Sequence, residues 1–165
     1  LSYCLSFSRR ERKSLSPPLP RLRLITVAPL LMAWIMPLAT SKVVVLAFYP
    51  ADRTSGCTAE MTKFRDEYGK LFGDGVVLLP ISRDGLESHA SWAKEMNMPF
   101  VLGSDTTGTV ARAYGSQSAP GRGFSRNVFI IGKDGKIAHT IIRLNALSED
   151  AYTAPGEAVS TAKKG

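Results

Sequence analysis

Apolar and polar positions change their rhythm several times along the chain, and each change predicts an element. Val43 to Tyr49 is a continuous apolar run rich in β-branched and aromatic residues, the pattern of a strand covered on both faces. Met61, Phe64, Tyr68 and Leu71/Phe72 then recur at helical spacing, with Glu60, Lys63, Asp66, Glu67 and Lys70 assigned to the opposite, solvated side. Gly73-Asp74-Gly75 ends that helix, and Val76 to Ile81 predicts a second apolar strand. Asp84-Gly85-Leu86-Glu87 resembles a capping box that opens a helix on which Trp92 and Met96 share a face. Phe100 to Leu102 predicts a short strand, and Val110 with Tyr114 a further helix. Asn127 to Ile131 and Lys136 to Ile142 flank Asp134-Gly135, the signature of a tight hairpin. Ser148 is the expected cap of a last helix that Pro155-Gly156 should break or restart.

From residue 43 the order is therefore β-α-β-α-β-α-β-β-α. It predicts an α/β fold, a mixed central sheet with helices on both faces. Gly115 to Gly123 has loop composition. No GxxxxGK[ST] or GxGxxG spacing offers a phosphate cradle.

Residues 1–41 follow none of these rhythms. Ser and Arg dominate their first half, and Pro17-Pro18-Leu19-Pro20 breaks any helix. Leu24 to Ser41 is uncharged but interrupted by Pro29 and Pro37, and it falls short of the ~20 apolar residues of a spanning helix. Arg21 and Arg23, the apolar run and Ala39-Thr40-Ser41 resemble a signal peptide; a tail, an anchor or sequence foreign to the mature protein is the alternative. The expected division is an atypical leader over 1–41 and one domain over 42–165. Location follows from the leader: cytoplasmic if it is spurious, periplasmic or membrane-associated if residues 21–41 are a signal or anchor.

Charge supports that division. The chain carries a formal +7, of which +5 lies in residues 1–41 and only +2 in residues 42–165. The nearly balanced body argues against a nucleic-acid partner. Two cysteines, Cys4 and Cys57, make neither a disulfide framework nor a zinc site, and no cofactor signature is present. One reactive thiol remains as candidate chemistry.

Cys57 follows the first strand and the turn Pro50-Ala51-Asp52-Arg53-Thr54-Ser55-Gly56, so it belongs to the first turn of the next helix. Unpaired N–H groups and the positive dipole end favour a thiolate there. Its spacing to Met61 and Phe64 aims it at the core, which also suits a buried structural cysteine. Thr54 stands where a CxxC motif would carry its other cysteine, so chemistry based on an internal CxxC is excluded.

Pro50-x-x-x-Thr54-x-x-Cys57 resembles the active-site signature of the peroxiredoxins. The run Phe48-Tyr49-Pro50-Ala51-Asp52-Arg53-Thr54-Ser55-Gly56-Cys57-Thr58-Ala59-Glu60 is similar to the bacterioferritin-comigratory, PrxQ-like branch. Ser88-His89, Pro99-Phe100, Ser104-Asp105, Ala113-Tyr114-Gly115 and Arg126 fall in the same order as in that branch. The resemblance implies a thioredoxin-like fold and a thiol peroxidase acting on hydrogen peroxide and small organic hydroperoxides. It implies Cys57 as peroxidatic cysteine and Thr54 as hydrogen-bond donor to the peroxide. Arg126 would stabilise thiolate and leaving oxygen, and Pro50 would shield the thiolate. It also implies recycling by thioredoxin or a similar thiol, no cofactor, and a monomer or homodimer.

The chain departs from that pattern in three places. Thr62 occupies the position of the local resolving cysteine, leaving an external thiol, or Cys4 if it can reach. Residues 1–41 do not show the family's N-terminal hairpin and short helix. Pro155-Gly156 interrupts the last helix. A thiol-disulfide oxidoreductase, which would need a second cysteine, and a non-catalytic thioredoxin-fold binding protein are the alternatives. His89 reads as a packed histidine rather than a base, Trp92 as core, Ser82 and Asp84 as loop and capping residues, and Arg53 as a solvated loop charge.

Overall fold

The computed structural model describes the backbone of Ile25–Thr26 and residues 42–165. The signal-like reading of the leader and the reach of Cys4 otherwise lie outside the described residues. The elements are β1 (Ile25–Thr26), β2 (Val43–Phe48), α1 (Ser55–Asp66), α2 (Tyr68–Leu71), β3 (Val76–Ser82), α3 (Leu86–Glu95), β4 (Gly103–Ser104), α4 (Thr109–Ala113), β5 (Val128–Ile131), β6 (Ile137–Ile141) and α5 (Thr153–Lys164). One sheet runs β1-β4-β3-β2-β5-β6. β1, β4, β3 and β2 are mutually parallel, and β5 and β6 are antiparallel to their neighbours.

β2 explains the architecture. All six of its residues are buried, because alternate side chains enter two different cores. Val43, Val45, Ala47 and the following Tyr49 pack with Cys57, Met61, Phe64, Trp92, Tyr152 and Val159. Val44, Leu46 and Phe48 pack with Leu79, Ile81, Ala111, Phe124 and Phe129 on the other face. Helices α1, α3 and α5 thus cover one side of the sheet and α4 the other, as expected from the element order. At the carboxyl end of β2 the chain is held between two strands: Phe48 N–H donates to Asn127 O and Tyr49 N–H to Ile81 O. Open α/β sheets place their ligand crevices outside such carboxyl ends.

Four local expectations are corrected. The third strand is Gly103–Ser104, not Phe100 to Leu102; Phe100 and Leu102 are buried, but the ladder to Ile81–Ser82 forms past them. The first helix ends at Asp66, and Tyr68–Leu71 is a separate turn. No capping box opens α3: Gly85 is its N-cap without a side-chain bond, while Asp84 Oδ2 accepts from Asp52 N–H at 2.9 Å and Ser82 Oγ at 2.7 Å. Ser148 makes no side-chain cap either; a 3-10 turn over Glu149–Tyr152 precedes α5. The helix restarts at Thr153 with Pro155 in its first turn, where a missing N–H breaks no i→i−4 bond.

The hairpin follows expectation. Gly132 N–H donates to Lys136 O at 2.8 Å, and Gly135 takes the left-handed conformation, φ 76°. Among the described residues no helix is long and apolar enough to cross a membrane.

Candidate active site

Cys57 is the third residue of α1, with Thr54 as N-cap. Its placement follows from spacing: Cys57, Met61 and Phe64 share one face and all three are buried, Cys57 completely. Its sulfur meets one charged group among the described residues. Arg126, just before β5, reaches across and donates from Nη2 to Cys57 Sγ at 3.5 Å. Gly56 makes this approach possible, since a Cβ there would stand 3.2 Å from Arg126 Nη2.

The second arm of the Arg126 fork, Nη1, donates to Glu60 Oε2. One guanidinium therefore bridges a carboxylate and a thiol, with only 16% of its side chain exposed. Burial opposes its charge, and the adjoining Glu60 and Cys57 outweigh that effect and hold its pKa above the ordinary value. The backbone of Arg126 is fixed as well. Its carbonyl accepts Leu144 N–H at 2.7 Å. The neighbouring Asn127 is buried and ties Arg143 N–H at 3.0 Å to Ser116 Oγ at 3.1 Å.

Glu60 corrects the sequence reading, which put it on the solvated side of the helix. It is fully buried, and its Oε1 has no hydrogen-bond partner among the described residues. The signal was present: Glu60 lies three residues after Cys57 and four before Phe64, on the same stripe. Burial raises its carboxyl from 4.5 to about 7, against the pull of Arg126. An acid with a raised folded-state pKa binds its proton more tightly when folded. Its stabilising contribution is then complete below pH 4.5 and is lost as pH rises towards about 7. Folding stability is expected to fall across that window, and Glu60→Gln should flatten the fall. Denaturant unfolding at stepped pH measures both slopes.

Thr54 and Pro50 occupy the loop between β2 and α1. Thr54 is exposed and its hydroxyl donates to Ala51 O at 3.3 Å; it is not on the sulfur. Pro50 is half-buried and lies under the Gly115 to Gly123 loop. Gly123 packs so closely that a Cβ would fall 2.2 Å from Pro50 O. Pro50 lines a cleft of about 690 Å³ with Arg83, Asp84, Gln117 and Pro120. Cys57 and Arg126 thus touch, while Thr54 and Pro50 lie in the loop that leads into α1.

His89 is packed, as expected. Its Nδ1 lies 2.9 Å from Asp52 Oδ2 and its Nε2 3.2 Å from Gly103 O, so it faces no nucleophile. Arg53 is exposed, as expected of a loop charge, and it also reaches Ser88, Ser91 and Glu95 on α3.

A family model described as the AhpC/TSA family matches residues 37–140. A putative peroxiredoxin bcp from Coxiella burnetii is 41% identical over 103 residues, which cover 59% of this chain and 68% of that protein. A chloroplastic peroxiredoxin Q from Sedum lineare is 39% identical over 101 residues, 58% of this chain and 52% of that protein. The chain therefore spans about half the length of that plant relative. Among solved structures, peroxidoxin BcpB from Mycobacterium tuberculosis superposes with a TM-score of 0.65 at 31% identity, covering 79% of this chain and 84% of that one. The bacterioferritin comigratory protein of Xanthomonas campestris gives 0.66 at 24% identity, covering 76% and 83%, a likeness of fold.

Proposed function

The chain belongs to the AhpC/TSA family, whose peroxiredoxins are thiol-dependent peroxidases of thioredoxin-like fold, and on that premise we propose that Cys57 is the thiolate that reduces hydrogen peroxide and small organic hydroperoxides. The observation that carries this reading is the contact of Arg126 Nη2 with Cys57 Sγ at the first turn of α1. The guanidinium and the helix N-terminus both favour the anionic sulfur.

The thiolate attacks one peroxide oxygen, and the S–O bond forms as the O–O bond breaks. Cys57 becomes a sulfenic acid, oxidised by two electrons, and the departing oxygen takes a proton and leaves as water or an alcohol. Arg126 lies beside the sulfur and can meet charge on the departing oxygen as it grows. We assign Thr54 to the peroxide oxygens and Pro50 to the wall that shields the thiolate. Glu60 joins them as the carboxylate that aligns Arg126.

The return half of the cycle needs two thiols, and residues 42–165 hold no cysteine besides Cys57. An external dithiol, here assigned as thioredoxin, attacks the sulfenic sulfur, expels water, and then releases Cys57 by forming its own disulfide. We place the cycle in the cytoplasm, in a monomer or homodimer without a nucleic-acid partner. Residues 42–165 would be the catalytic unit, preceded by a leader of which Ile25–Thr26 joins the sheet edge.

The reduced protein, given hydrogen peroxide, thioredoxin, thioredoxin reductase and NADPH, is expected to oxidise NADPH in step with peroxide, whereas glutathione alone gives little turnover. Turnover with dithiothreitol but not thioredoxin would correct the reductant. Turnover with neither would end the peroxidase reading.

A further inference from the structure

The fully buried sulfur sets a problem for any external thiol. A peroxide, little larger than water, needs only a small shift of side chains to meet that sulfur, whereas a protein thiol cannot reach Cys57 until the first turn of α1 moves. That turn has little to hold it from within: Thr54 makes no side-chain cap bond, the first turn carries no acidic residue, and it contains Ser55 and Gly56. The constraint comes from the loop before it. Asp52, two residues ahead of the N-cap, accepts hydrogen bonds from Tyr49 Oη at 2.7 Å and Ser88 Oγ at 2.6 Å, and faces His89 Nδ1 at 2.9 Å.

Asp52 and His89 are a hydrogen-bonded pair almost without solvent, with side-chain exposures of 3% and 1%. Both ring nitrogens of His89 lie within hydrogen-bond distance of oxygen atoms, Asp52 Oδ2 and Gly103 O. Burial pushes the Asp52 carboxyl up, and the bonds from His89, Ser88 and Tyr49 together outweigh it and bring it down. Asp52 N–H is tied to Asp84 Oδ2 as well. Next to it, Arg53 is held in the left-handed region at φ 59°, a conformation that a non-glycine residue keeps only under tethers.

We infer that the Asp52–His89 pair is a positioning latch for the peroxidatic loop. It keeps Pro50 to Cys57 closed for attack on peroxide, and its release admits the thiol that reduces the sulfenic acid. The pair touches no substrate; it acts through the loop. The inference rests on the peroxidase reading for its purpose, but not for its test.

The test is alkylation of Cys57 in the reduced protein by iodoacetamide, located by peptide mass, which uses no peroxide. A hydrogen bond to a charged partner governs an equilibrium by about 10- to 100-fold. Asp52→Asn and His89→Leu should therefore each speed alkylation by about that factor. The double variant should gain no more than the faster single one, because both changes open one latch. Peroxide oxidation of Cys57 should stay within about threefold of wild type, since the closed form still dominates the population. Ser88→Ala, a milder change, should raise access less and serves where the others do not fold. In the wild-type protein, hydrogen exchange should show amides 53–58 opening together ahead of those of β2.

Unchanged alkylation in the single variants would overturn the latch. So would fully multiplicative effects in the double variant, or exchange of amides 53–58 only on global unfolding. A wild-type Cys57 that reacts with peroxide no faster than a free thiol would instead defeat the peroxidase reading and leave the alkylation result standing.

Discussion

Cys57→Ser removes peroxide consumption to the level of buffer. A hydroxyl stays protonated near neutral pH and lacks the polarisable sulfur on which attack at the O–O bond depends. No other cysteine lies in residues 42–165 to take over. Serine is close in size, and Met61, Phe64 and Tyr49 around the site supply the packing, so the fold should survive. The loss is then chemical rather than structural. Peroxide disappearance under dithiothreitol, beside circular dichroism of the same sample, checks both halves; residual turnover above a few per cent would mean that another group does the chemistry.

Arg126→Lys slows Cys57 oxidation by about 10²- to 10³-fold, the cost of removing one aligned donor to developing charge. The reason is geometric. The guanidinium fork serves Glu60 through Nη1 and Cys57 through Nη2 at once. A lysine ammonium is a compact point charge on a flexible stem and lacks that planar reach. It would settle against the buried Glu60 carboxylate and leave the sulfur without its partner. The slowed step is the reaction with peroxide, so single-turnover oxidation followed by intrinsic fluorescence or mass reports it without the reductant. A rate within threefold of wild type would mean that Arg126 is only a structural counterion for Glu60.

Much of this fold is legible in the sequence because burial writes itself into the pattern. Val43 to Tyr49 reads as doubly covered because each side chain enters one of two cores, and Asp134-Gly135 marks the hairpin because the turn needs a left-handed residue. Pro50, Thr54, Cys57 and Arg126 are legible as a motif, and the contact of Cys57 with Arg126 appears in the structure. Phe100 to Leu102 misleads because apolarity marks burial, whereas strand pairing is set by where Ile81–Ser82 presents its free edge. Glu60 was hidden by its charge: a carboxylate is assigned to solvent unless its counterion is known, and that counterion lies 66 residues away. His89 is legible as packed and Arg53 as an exposed charge, but the partners of Asp52, His89 and Arg53 are not, since they come from a different turn of the chain. Pair chemistry between distant residues is what a single sequence conceals best.

The role of Cys57 as a peroxidatic thiolate can be read from a single addition of peroxide. One equivalent of hydrogen peroxide is added to the reduced protein with a sulfenic-acid trap present, and the adduct is located by intact mass and peptide mapping. A rapid single adduct on Cys57, absent from Cys57→Ser, is the expected result. A Cys57 that forms its adduct no faster than a free cysteine would contradict it, and would leave a thioredoxin-fold protein that binds rather than reduces.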